Sequence, residues 1–154
     1  MALSKVWVHA ETNENGVAPI TLEMLAKARE IADVVEVFVG GDGAAVAATV
    51  GAHGATKVLA TGDLSGKLQG VHVAGALAAA IEGGDAPDLI MLGTTQDGRD
   101  IGARLSVKLD KPVLTNNTFA LTDKFDLGFG LRYTNEAKEL GSHYTNLGTA
   151  ASPA

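Results

Sequence analysis

Asp88-Leu-Ile-Met-Leu-Gly-Thr-Thr-Gln-Asp-Gly-Arg-Asp-Ile-Gly-Ala-Arg-Leu-Ser-Val-Lys-Leu109 carries the pattern on which the fold assignment turns. Leu89 to Leu92 is an unbroken apolar run of strand length, which marks a strand covered on both faces. Ile101, Leu105 and Leu109 then recur at helical spacing. Between strand and helix lies a polar glycine loop, Gly93 to Arg99. In open parallel sheets ligands meet the chain at the carboxyl ends of strands, so this loop is the first place to look for function.

The same alternation extends in both directions. Upstream, Lys5 to Ala10 is a β-favouring start, broken by the polar run Glu11 to Gly16. Pro19 and Thr21 introduce a helix, with Thr21 as the expected cap and Met24, Leu25, Ala28, Ile31 and Ala32 as its apolar stripe. Val34 to Val39 reads as a second strand ending in Gly40-Gly-Asp-Gly43, and Ala44 to Val50 as a helix of very small residues. Lys57 to Ala60 is a third strand, and Val73, Leu77 and Ile81 form one face of a third helix closed by Gly83 and Gly84. Downstream, Lys111 to Leu114 is the expected fifth strand and Phe119 to Leu121 a further one.

The order β-α-β-α-β-α-β-α-β predicts a doubly wound α/β fold, a mostly parallel five-stranded Rossmann-like sheet with helices on both faces, over residues 1–124. From Phe125 to Ala154 the pattern dissolves, and an edge hairpin followed by a frayed tail is the expectation there.

Composition narrows the chemistry. The 154 residues carry a formal charge of −6 with no Lys/Arg cluster, which argues against a nucleic-acid partner. The absence of cysteine excludes disulfides and thiolate metal sites, and His9, His53, His72 and His143 never fall at ligand-like spacing, so no metal is expected. No stretch approaches the ~20 apolar residues needed to cross a bilayer, and residues 1–5 lead straight into a strand, so the expectation is a cytoplasmic protein without membrane contact.

The loop Gly93, Thr94, Thr95, Gln96, Asp97, Gly98, Arg99 ends a buried strand and opens a helix, so its amides and the helix dipole can hold an anion, with two hydroxyls and one cation beside it. It has neither the Lys-Ser/Thr ending of a P-loop nor the spacing of a dinucleotide fingerprint, and an ordinary βα turn with Asp97 near a capping position explains the same residues. Gly40 to Gly43 can likewise approach a phosphate, although a tight turn needs such glycines whatever it binds. His9 ends the first strand with Glu11 two residues on, but no nucleophile in a strained elbow accompanies them, and a polar strand-end histidine accounts for it. Asp97 and Asp100 form a carboxylate pair that the helix dipole alone would favour, so no catalytic constellation is read.

Several segments, in matching order over roughly residues 5 to 118, resemble one family. These are Val6-Trp-Val-His-Ala-Glu11, Thr21-Leu-Glu-Met-Leu-Ala-Lys-Ala28, Gly51-Ala-His-Gly-Ala-Thr-Lys-Val58 and Asp88 to Leu105 with its Thr-x-Asp-Gly-Arg-Asp loop. Together they resemble the N-terminal domain of the electron transfer flavoprotein alpha subunit. The resemblance implies a Rossmann-like domain related to the adenine nucleotide alpha hydrolase and universal-stress folds. It also implies a beta-like subunit as partner, and FAD that carries electrons from dehydrogenases to a membrane quinone oxidoreductase. In that family the flavin is held chiefly by a C-terminal domain, which is expected to be missing here, so no flavin-motif residue carries over and residues 125–154 are expected to diverge. The functional expectation is a non-enzymatic subunit-contact scaffold. The alternative is a stand-alone module binding AMP, ATP or FAD through Gly93, Thr94, Thr95, Asp97, Gly98 and Arg99, and an exposed contact face would also permit a homo-oligomer.

Overall fold

The computed structural model describes residues 2–114 and the backbone of residues 120–122 and 125–126. Backbone contacts divide the chain into one unit, Met1–Val113, and a second, Leu114–Ala154.

The first unit is built on a four-stranded parallel sheet. Strand β1 (Leu3–His9) lies at its centre, flanked by β4 (Ala32–Val39) and β6 (Leu89–Met91), with β5 (Lys57–Ala60) outside β4. Val6 stands opposite Val35 and Leu89, and Val8 opposite Val37 and Met91. Successive side chains of a strand point to opposite faces, so β1 feeds two cores. Val6 and Val8 pack with Val35, Val37 and Val39 against Leu25 and Ala28 of α1 (Pro19–Ile31) and Val46 and Val50 of α2 (Ala44–Ala52). Trp7 and Phe38 pack on the other face against Val73 and Leu77 of α3 (Gln69–Glu82) and Ile101 and Leu105 of α4 (Gln96–Leu109). This is the expected doubly wound arrangement, with helices on both faces.

Local chemistry sets the element ends. Helix α1 starts at Pro19, with extended Ala18 as its N-cap. The fixed φ of proline is pre-organised for a first turn whose N–H needs no partner. Thr21 is therefore not the cap expected of it. It is buried one turn inside, where its hydroxyl accepts from the Glu11 amide at 2.9 Å. The polar run after β1 forms a small hairpin, β2 (Thr12–Asn13) against β3 (Gly16–Val17), in which Asn13 Oδ1 accepts from the Asn15 amide and Gly16 takes φ +104°.

The expected fifth strand at Lys111 to Leu114 does not form; among the described residues the parallel sheet has four strands. Helix α4 closes through left-handed Asp110 and mutual hydrogen bonds between Ser106 and Lys111, so the first residue of that segment serves the helix end. Pro112 has no N–H to give a ladder, and Val113 and Leu114 remain exposed. In the second unit, β7 (Ala120–Thr122) pairs antiparallel with β8 (Phe125–Asp126). The frayed tail expected after these strands lies outside the described residues.

Candidate functional site

The strand order 5-4-1-6 reverses direction at β1: the chain steps outward from β1 to β4 and β5, then returns to place β6 on the other side. The crevice between the carboxyl ends of β1 and β6 is thus the topological switch point, where doubly wound sheets admit ligands. It is formed by Glu11 after β1 and by Gly93 to Arg99, which run from the loop after β6 into the first turn of α4.

Thr95 is the N-cap of α4. Its backbone is extended, and its Oγ1 accepts from the Gly98 amide at 3.1 Å. The same hydroxyl donates to Glu11 Oε1 at 2.7 Å. The carboxylate of Glu11 therefore sits over the loop at the positive end of α4, where an external anion would be drawn. It is placed there by backbone and side chain together: its N–H goes to Thr21 and its C=O accepts from the Ala18 amide at 2.8 Å. A Cβ on Gly93 would stand 2.6 Å from Glu11 Oε1, so glycine is what lets the carboxylate come so close. Asp97 lies in the first turn of α4, as expected of a residue favoured by the dipole, but the cap itself is Thr95.

The remaining loop residues divide by exposure. Gly93 and Gly98 are buried, while Thr94, Asp97 and Arg99 are exposed. Asp100 is engaged with neighbours of its own. It turns along α4 to Arg104, 2.9 Å from Nε, and its other oxygen lies against Gly70 in the first turn of α3, where a Cβ would overlap it. The Gly40–Gly43 turn contributes one glycine to the edge: a Cβ on Gly40 would meet Gln69 Oε1 at 2.7 Å and Val73 Cγ2 at 2.8 Å.

What remains between these groups is a polar cleft of about 50 Å³ bounded by Glu11, Thr12, Gly40, Gln69 and Asp97. Small-molecule and cofactor pockets occupy roughly 300–1,000 Å³, so this cleft is much smaller than a typical cofactor pocket. A larger open hollow, about 380 Å³, lies between α3 and α4 against Val71, Ala103, Arg104, Val107 and Lys108. It is mostly apolar, sits on helix residues, and its lining side chains are aliphatic or cationic. Among the described residues no group of three or more His, Asp or Glu side chains could hold a metal ion, and no helix is long and apolar enough to cross a membrane.

His9 is the residue whose placement the sequence left least explained. It is a strand-end histidine, as expected, but only 1 % exposed, with its ring stacked on Phe38 at 5.0 Å between centroids. Both ring nitrogens are buried without a hydrogen-bond partner among the described residues, and Nδ1 stands 3.6 Å from Glu11 Oε1. Burial pushes the imidazole below its ordinary pKa, and the carboxylates of Glu11 and Asp97 oppose that only in part. The available sequence signal was period two: Trp7 and His9 share the face opposite Val6 and Val8.

The chain matches the electron transfer flavoprotein domain over residues 6–126. It is 29% identical over 117 residues to an electron transfer flavoprotein subunit alpha from Syntrophomonas wolfei subsp. wolfei, covering 74% of this chain and 36% of that protein. It is 25% identical over 109 residues to the acryloyl-CoA reductase electron transfer subunit beta of Anaerotignum propionicum, covering 68% of this chain and 30% of that one. The chain thus spans about a third of the length of the curated relatives it matches. With the parallel sheet, the switch-point loop and a family match running from β1 into β8, this chain belongs to the electron transfer flavoprotein domain family.

Proposed function

We propose that this domain acts as a subunit-contact scaffold of alpha-subunit type in flavin-dependent electron transfer, with an electron transfer flavoprotein beta-like subunit as its partner and no catalysis of its own. The observation that carries this reading is the Glu11–Thr95 hydrogen bond at 2.7 Å: the protein's own carboxylate takes the hydroxyl at the N-terminus of α4 and narrows the switch-point crevice. A domain of this family whose ligand edge is narrowed in this way contributes shape and surface, and the flavin is held by other parts of the assembly. Surface for such a contact is available on the α3–α4 side. There Leu68, Val71 and Val107 are 75 %, 45 % and 85 % exposed, with Arg104 and Lys108 beside them. An exposed apolar patch rimmed by charged side chains is the kind of surface that a protein partner covers. Co-expression with a beta-like subunit, followed by size-exclusion chromatography, tests the reading: a co-eluting complex supports it, and separate elution counts against it.

A second reading places AMP, ATP or FAD at Gly93, Thr94, Thr95, Asp97, Gly98 and Arg99. Its support is the exposure of Thr94 and Arg99 beside the N-terminus of α4. For a phosphate to reach the helix amides, Glu11 must first leave Thr95. Calorimetric titration with each nucleotide decides it, and the Glu11→Gln variant should bind better than the wild type if the reading holds.

A further inference from the structure

The buried imidazole of His9 and the N-cap of α4 share one carboxylate. Glu11 Oε1 accepts from Thr95 Oγ1 at 2.7 Å and lies 3.6 Å from His9 Nδ1, and Thr95 Oγ1 in turn accepts from the Gly98 amide at 3.1 Å. From these distances we infer that His9 is a proton-operated latch on the switch-point loop: when His9 takes up a proton, Glu11 turns to the imidazolium and the cap of α4 loosens.

The geometry puts the two donors in competition for one oxygen of Glu11. A neutral His9 at 3.6 Å is beyond hydrogen-bond length, so Glu11 has no competitor for Thr95. A protonated ring, 1 % exposed and with neither nitrogen hydrogen-bonded among the described residues, needs a carboxylate at once, because an unpaired buried charge is far more costly than a lengthened neutral hydrogen bond. A shift of well under 1 Å brings Glu11 into a charge-assisted hydrogen bond with Nδ1. The same oxygen then accepts two donors or releases Thr95, and either weakens the Thr95–Gly98 cap.

The surroundings are suited to one proton and to one direction of response. Glu11 from the end of β1 and Asp97 from the first turn of α4 are the charged groups that act on His9. From β4 it meets the uncharged Phe38 ring, and Glu36, two residues back on that strand, is engaged with Trp7 Nε1 at 2.8 Å. From α3 the cleft receives Gln69, which does not titrate. No cation among the described residues competes for Glu11. Glu11 also bonds Thr21 and Ala18 through its backbone, so its side chain can move while the chain around it stays fixed.

Heteronuclear NMR of the full chain from pH 8 to pH 4.5 tests the latch. The His9 ring carbons report protonation, and the Gly98 amide reports the cap. The expected result is a Gly98 shift with the same midpoint as His9, below the ordinary histidine value. Exchange of that amide should rise roughly five-fold after correction for intrinsic pH dependence, as expected for loss of about one cap. In Glu11→Gln the His9 midpoint should fall further and the Gly98 step should shrink. In His9→Asn the step should vanish. A Gly98 amide that does not move at the His9 midpoint in the wild type overturns the proposal, and so does a step that persists in His9→Asn. The wild-type titration decides the matter even where a variant fails to fold.

Discussion

Two glycines inside helices should respond to alanine with opposite signs. Alanine gains about 1 kcal/mol over glycine in a helix interior, because glycine loses more backbone freedom on folding. In α3, a Cβ on Gly75 would meet nothing within 4 Å, so Gly75→Ala should keep most of that gain. In α4, a Cβ on Gly98 would overlap the carbonyl oxygen of Gly93 and lie 3.2 Å from Thr95 Oγ1. That obstacle is buried backbone at the end of β6, not the end of a flexible side chain, so either the loop or the first turn of α4 must shift. Overpacking of this kind costs about 1–3 kcal/mol, and moving Thr95 adds part of a cap. Gly98→Ala should therefore be destabilised by about 2 kcal/mol net, or roughly 8 °C in Tm, whereas Gly75→Ala should gain roughly 2–4 °C. Urea and thermal unfolding followed by the fluorescence of buried Trp7 would read both. A Gly98→Ala protein as stable as the wild type would refute the close approach of α4 to the end of β6.

Other outcomes follow from the same contacts. Thr95→Val should lose about 1 kcal/mol by removing the cap and leaving Glu11 without its donor, while Thr95→Ser should keep most of it; denaturant midpoints compare the two. Trp7→Phe should cost about 1–3 kcal/mol, because the buried Glu36 carboxylate loses the indole donor at 2.8 Å and keeps only Lys57 at 4.0 Å; Trp7→Phe with Glu36→Met should recover part of that loss. Because the folded pKa of His9 lies below its unfolded value, unfolded chains bind the extra proton first. The His9 contribution is thus fully present above the unfolded pKa of about 6.5 and is lost as pH falls from there toward the lower folded pKa. Urea midpoints of wild type and His9→Asn should converge toward acid pH. Val107→Asp should leave the isolated domain folded and weaken the proposed subunit complex, which a pull-down at two salt concentrations would read.

Periodic features of this fold could be read without coordinates, and pairwise ones could not. The run at Leu89 and the recurrence of Ile101 and Leu105 located β6 and α4, because burial of one face leaves its period in the chain. The cap of α1 was misplaced because Thr21 has the right chemistry for a cap; its hydroxyl is instead used ten residues back, by Glu11. The pairing of Glu11 with Thr95 spans 84 positions and leaves no local trace. Lys111 to Leu114 reads as a strand by composition, yet the closing bonds of α4 to Lys111 and the missing N–H of Pro112 decide otherwise. The loop from Gly93 to Arg99 stands out as a candidate by its position at a strand end, but the approach of an internal carboxylate to it depends on where β1 stops.

The central claim is that this domain works through a protein partner and not through a ligand at its strand edge. Its most direct test is the mass of the species formed when the purified chain is mixed with a beta-like subunit, measured by light scattering after size exclusion, with the chain's visible spectrum recorded alone. A stoichiometric complex and no flavin absorbance from the chain by itself are expected. Separate elution of the two proteins, or a flavin retained by this chain alone, would contradict it.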